Sequence, residues 1–281
     1  MLDKPFIGTE ALAAGLVKKH QLRSRFVALH PNVYVHPDVV LTHRARARAA
    51  WLWSQRRGVV AGVTASALYG AKWVDPSEPV ELIFSCGRPP AGLRTSAMTL
   101  YDTERILIGG LPVTTIERTA FDLGRRGGLD NAVARLDALA RATGFEVSGV
   151  RQIAERHPHT RGLRHLDQAL DLMDSGAESP RETWLRMFLM RAGYPRPRTQ
   201  IPVLSPDGRR TYYLDMGWDD VMVAVEYDGD HHRTTKELFA YEIQRLEDIT
   251  AAGWLVVRVA ARCRDSDILA RMERAWRLRM H

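Results

Sequence analysis

The stretch 211-TYYLDMGWDDVMVAVEYDGDHH-232 decides how the C-terminal part of this chain is read. Two runs rich in β-forming residues, 209–218 and 221–228, flank Asp219-Asp220, as in a hairpin. A two-residue loop there sets Trp218 opposite Val221 and Asp215 opposite Ala224. Side chains alternate along a strand, so Ala224, Glu226 and Asp228 share one face, and Asp215 joins them from the neighbouring strand. Glu226 then lies diagonal to Asp215, within reach of a shared ion. Leu214, Met216, Val223, Val225 and Tyr227 fall on the opposite face, which is core.

Three carboxylates on one sheet face repel each other. They persist at low cost only when solvated, protonated or bound to a cation. Glu226 emerges from a strand that is otherwise apolar on both faces. Oxygen donors at this spacing suit Mg²⁺ or Mn²⁺. A strand end carrying solvated acids is the plainer alternative.

Outward from this hairpin the chain organises itself. SGAESP (175–180) breaks one helix with Gly176 and starts another with Ser179-Pro180. Residues 180–192 read as a helix burying Trp184, Leu185, Phe188 and Leu189. Strands follow at 199–204, 209–218 and 221–228, then a helix at 234–252, an apolar strand at 254–260 and a helix at 266–279. The order is αβββαβ, and the crossover helix implies a parallel last strand. The expected class is α/β, α+β over the whole chain. Upstream, 9–19 reads as a short helix and 26–29 and 32–36 as a hairpin, the pattern of a winged helix. A helix at 43–56, strands at 59–60, 80–84, 98–102 and 111–115, a short helix at 64–70 and helices across 116–174 complete the reading. The expected division is 1–58, 59–175 and 176–281.

Composition sets bounds. The 281 residues carry a formal charge of +7, which favours a polyanionic partner. Only five of the 40 basic residues are lysine, a skew that GC-rich coding also produces. Two cysteines make no disulfide or metal framework. No run of 18 apolar residues is present to cross a membrane, and the first twenty residues do not read as a signal peptide, so a cytoplasmic location is expected.

The run SPRETWLR, then LDMGW, VAVEYDGDHH and YEIQRLEDITAAGWLVVRV, over about 176–262, resembles a bacterial domain family related to very-short-patch repair endonucleases, placed in the PD-(D/E)XK superfamily. The resemblance implies a restriction-endonuclease-like core and a Mg²⁺- or Mn²⁺-dependent endonuclease acting on DNA. It assigns the metal to Asp215, Glu226 and Glu182, with Asp228, His231 and Arg245 completing the catalytic set. Asp228 stands where the superfamily has lysine. That leaves the base to His231 or His232 and positive charge to Lys236 or Arg245. Plainer roles exist for each. Glu182 completes a capping box with Ser179, the histidines can belong to a surface turn, and Glu242 and Arg245 are spaced as a helix ion pair.

The N-terminal region, through VYVHPD, VVAGVTASALYG and LPVTTIERTAFDL, resembles abortive-infection antitoxin domains of the AbiE type over about residues 5–170. This implies a DNA-binding winged helix. Lys18, Lys19, Arg23 and Arg25, beside His20, are then the candidate phosphate contacts, with His232 and Lys236 contributing from the C-terminal part. Duplex DNA is the expected partner, and a protein partner of toxin–antitoxin kind is a second. The competing function is a non-catalytic DNA-binding regulator that uses the nuclease fold as scaffold.

Overall fold

A computed structural model describes residues 2–229 and 236–280, with side chains omitted at 236–238. The chain divides into two compact units, 1–171 and 172–281.

The N-terminal unit opens with β1 (Phe6–Ile7), α1 (Gly8–Ala13), α2 (Lys19–Arg25), β2 (Val27–His30) and β3 (Val33–Val35). These strands form a three-stranded antiparallel sheet in the order β1-β3-β2. Next come α3 (His43–Trp53), β4 (Val59–Val60), α4 (Gly62–Leu68), β5 (Val80–Ile83), β6 (Leu93–Ser96), β7 (Arg105–Ile108) and β8 (Leu111–Thr114). They build a five-stranded sheet in the order β6-β5-β4-β8-β7. Helices α5 (Ile116–Gly124), α6 (Leu129–Thr143), α7 (Val147–Arg156) and α8 (Leu163–Leu172) follow. Helix α3 ties the two sheets together. Ala49 and Leu52 pack with Ile7 and Val33, while Ala47 and Ala50 pack with Val60, Leu82 and Val113. Residues 1–58 and 59–171 thus share one unit, and a cut at 58 would strip α3 from the second sheet.

Two expectations fail here. Residues 98–102 are not a strand. Thr99 gives its carbonyl to Arg118 Nη1 at 2.9 Å, and a 3-10 turn follows at Asp102–Glu104. The strand lies earlier, at β6, paired parallel to β5. Strand β7 lies outside the expected strands and is joined to β8 by Gly109-Gly110, both at positive φ.

In the C-terminal unit, α9 (Pro180–Arg191) precedes β9 (Arg198–Leu204), β10 (Thr211–Trp218), β11 (Val223–Asp228), α10 (Lys236–Ala251), β12 (Leu255–Ala260) and α11 (Asp265–Met280). The sheet order is β12-β11-β10-β9, antiparallel except for the parallel β11–β12 pair that the crossover helix requires. The αβββαβ order therefore stands within a chain of mixed helix and sheet.

Each face of this sheet has its own core. Met216, Trp218, Val223, Val225, Val257 and Val259 pack against Leu185 and Leu189 of α9 and Ile268 and Met272 of α11. Ile201, Val203, Tyr212, Leu214 and Ala224 pack with Ile249 of α10 and Trp254. Leu214 was expected beside Met216 but lies on the other side. The alternation of β10 breaks between them, at Asp215. The β9 register brackets Asp215 against Gln200, which has φ 51. A left-handed residue of β9 thus stands opposite the point where the β10 alternation breaks, while the β9–β10 register itself runs on unshifted.

Candidate functional site

The β10–β11 hairpin is two residues longer in its turn than expected. Trp218 pairs with Val223, Gly217 with Ala224 and Met216 with Val225, leaving Asp219–Met222 as a four-residue turn. Asp219-Asp220 lacks the glycine that a tight two-residue turn favours, and Met222 takes the left-handed conformation instead, at φ 52. Arg198 holds the turn by donating to both oxygens of Asp219, at 3.2 and 3.1 Å. A shift of two residues keeps the face parity of β11, so Ala224, Glu226 and Asp228 still alternate with Val223, Val225 and Tyr227. It does replace the expected Asp215–Ala224 pairing. Gly217 sits opposite Ala224, where a Cβ would fall 2.6 Å from the Val223 carbonyl oxygen.

Asp215 lies where the ladder ends. Its Oδ2 accepts the Tyr227 N–H at 2.8 Å, taking the place of a strand carbonyl. Burial, then the Glu182 carboxylate, push the Asp215 carboxyl up to about 7, with Glu226 adding to the rise. The Tyr227 N–H and the Arg245 guanidinium oppose the rise without cancelling it. Buried Glu226 is held by Arg245 through both carboxylate oxygens, Nη1 to Oε2 at 3.2 Å and Nη2 to Oε1. Arg245 Nη2 also donates to the Tyr213 carbonyl at 3.0 Å.

The network continues along α10 and β12. Glu242 is 3.6 Å from Arg245 and 3.1 Å from Arg258, and Arg258 lies 3.1 Å from Asp228. Glu226 and Arg258 are register partners across β11 and β12. Arg258 was missed in the sequence because WLVVRVA was read as wholly apolar. Its signal is a single basic residue inside an otherwise apolar strand, next in the sheet to a buried acid. The Glu242–Arg245 ion pair, held open as the plainer reading, is present.

Glu182 is both cap and charge. Ser179 Oγ accepts the Glu182 N–H at 3.2 Å, while the Glu182 carboxylate accepts Ser179 O–H and Glu178 N–H, each at 2.8 Å. It is buried, and its field reaches Asp215. Asp215, Glu226, Glu182 and Arg245 are thus electrostatically coupled, with Asp228 joined to them through Arg258 and Glu242. His231, His232 and the side chain of Lys236 lie outside the described residues. Among the described residues no group of three or more His, Cys, Asp or Glu is gathered as a ready metal cage.

In the N-terminal unit Lys18, Lys19, Arg23 and Arg25 are all exposed. Leu22 anchors α2 against Ala11 and Val17. Lys19 and Arg23, four apart, share one flank of that helix, whereas Arg25 is turned about 200° from Arg23. Two arginines of the next helix and its exit are tied to other side chains or backbone. Arg46 donates to the Glu78 carbonyl at 2.8 Å, and Arg56 holds Glu10 through two bonds of 2.6 Å. Among the described residues no helix is long and apolar enough to cross a membrane.

Comparison with known proteins adds relatives without an assigned activity. An uncharacterized protein of Mycobacterium tuberculosis strain CDC 1551 / Oshkosh is 26% identical over 201 residues, covering 70% of this chain and 72% of the relative. Its counterpart in strain ATCC 25618 / H37Rv, also uncharacterized, matches to the same extent. No family model matches the chain. No solved structure matches it.

Proposed function

We propose that this chain is a cytoplasmic, divalent-metal-dependent endonuclease that hydrolyses phosphodiester bonds in duplex DNA, with α2 and its flanks holding the nucleic acid. One observation carries the reading. Asp215, Glu226 and Glu182 crowd a poorly solvated place where Arg245 is the guanidinium that opposes them, so that Asp215 is left with a carboxyl pushed up to about 7. A carboxyl raised by burial and by two neighbouring carboxylates is one that a bound divalent cation such as Mg²⁺ or Mn²⁺ would return to its ionised form.

Asp215 and Glu226 would hold the ion, water would complete its shell, and Glu182 would add negative field. Bound there, a divalent cation supplies an activated water and neutralises charge at phosphorus. The chain's own residues do the rest. Tyr227 N–H fixes Oδ2 of Asp215, leaving the other oxygen free to face the ion. Arg245 orients Glu226. Lys19 and Arg23 offer charge to the phosphate backbone.

The Arg245 fork also favours a second reading. It occupies both oxygens of Glu226, so a guanidinium already fills part of the ion's role. A non-catalytic, antitoxin-like DNA-binding regulator with a protein partner would retain such a fork as scaffold. Cleavage of plasmid DNA with Mg²⁺ or Mn²⁺ separates the two. The proposal expects nicking that stops with EDTA and is lost in Asp215→Asn and in Glu226→Gln. No nicking by wild type, metal-independent nicking, or wild-type-like nicking by both variants rejects it.

A further inference from the structure

A cavity of about 370 Å³ lies in the N-terminal unit, lined by residues between Ala61 and Arg135. Three arginines reach it from three places: Arg94 on β6, Arg126 after α5 and Arg135 on α6. Leu82, Met98 and Leu123 supply apolar wall.

Glu81 stands among these guanidiniums with its side chain only 9% exposed. It meets Arg94 at 3.4 Å and Arg126 at 3.3 Å, longer than a well-formed charge-assisted bond. Burial raises the Glu81 carboxyl above its ordinary range despite these arginines. Gly62 leaves room for the acid. It has φ 56, and a Cβ there would fall 2.4 Å from Glu81 Oε2. Arg126 and Arg94 remain partly exposed, so both can turn to a ligand.

We propose that this cavity binds a small organic anion, a phosphate or carboxylate head on an apolar body. The head is taken by Arg126 and Arg94, with Arg135, held by Glu78 at 2.9 Å, adding positive field, and the body lies on Leu82, Met98 and Leu123. Planar guanidiniums from separate elements suit a two- or three-oxygen head. The volume suits a compact organic ligand. Glu81 then acts as an internal competitor, holding Arg94 and Arg126 loosely when no ligand is present. Its negative charge opposes the incoming head.

This role makes two nearby substitutions act with opposite signs. Titration calorimetry on the full chain would use phenyl phosphate, benzoate and inorganic phosphate as probes. Phenyl phosphate should bind more tightly than inorganic phosphate, because the ring gains the apolar wall. Comparing it with benzoate tells which head is preferred. Arg126→Ala should weaken binding about 10-fold or more, the scale of one charge-assisted bond. Arg94→Ala, at an exposed side chain that leaves folding intact, should weaken it as well. Glu81→Gln should tighten binding several-fold, and Arg164→Ala, an exposed arginine outside the cavity lining, should change nothing. The proposal is overturned if no probe binds, if Arg164→Ala weakens binding as much as Arg126→Ala, or if Glu81→Gln weakens it.

Discussion

Asp215→Asn should stabilise the ion-free protein at neutral and alkaline pH while leaving it nearly unchanged in acid. The folded chain holds the Asp215 carboxyl at about 7, against 3.8 for the free side chain. Between those values the folded state binds more protons than the unfolded state, so wild-type stability falls as pH rises through the window. A shift of about three units corresponds to roughly 4 kcal/mol, with water penetration making this an upper figure. Asparagine has nearly the shape of the protonated acid, its oxygen can still accept the Tyr227 N–H, and it does not titrate. The variant's advantage over wild type should therefore grow by up to ~4 kcal/mol between about pH 4 and pH 7.5, then level off. Native-state hydrogen exchange of the β11 amides, run in EDTA, reads this for the C-terminal unit alone. A difference that stays flat across the range would refute the burial and carboxylate repulsion assigned to Asp215.

Other substitutions probe the supports of the site and the basic helix. Arg245→Met should destabilise the C-terminal unit by about 3 kcal/mol, because Glu226 is left buried and uncompensated, and Arg245→Met with Glu226→Met should recover much of the loss in urea unfolding. Ser179→Ala should cost about 1 kcal/mol through loss of the α9 cap. Gly217→Ala should cost about 1–3 kcal/mol, as its methyl meets the Val223 carbonyl, and a wild-type melting profile would contradict that close approach. Lys19→Ala with Arg23→Ala should lower the slope of log affinity for duplex DNA against log salt by about 2, and an unchanged slope removes α2 from the DNA-binding surface.

The order of elements in the C-terminal unit was legible because its periods are clean: the helical face at Leu185 and Leu189, and the apolar runs at 221–228 and 254–260. The placing of Glu226 and Asp228 on one face survived an error in the turn, since a slip of two residues preserves parity. What sequence could not show was non-local. The break at Asp215 lies opposite Gln200 of β9, a juxtaposition that exists only once the strands pair. Arg258 gains meaning only when β12 lies beside β11. In the N-terminal unit, Gly109-Gly110 between apolar pairs is a hairpin signal that was there to be used. The misplaced strand at 98–102 reflects a backbone whose Thr99 carbonyl is spent on Arg118 rather than on a ladder. Nothing in residue spacing reveals the cavity around Glu81, because its arginines come from β6, α6 and the segment after α5.

The central claim, a divalent-metal site on Asp215 and Glu226, is tested most directly by titrating Mn²⁺ into the full chain by calorimetry, alongside Asp215→Asn and Glu226→Gln. The account expects saturable binding in wild type, released protons as Asp215 ionises, and loss of that binding in each variant while both remain folded. Wild-type-like Mn²⁺ binding in both variants, or none in wild type, would contradict it.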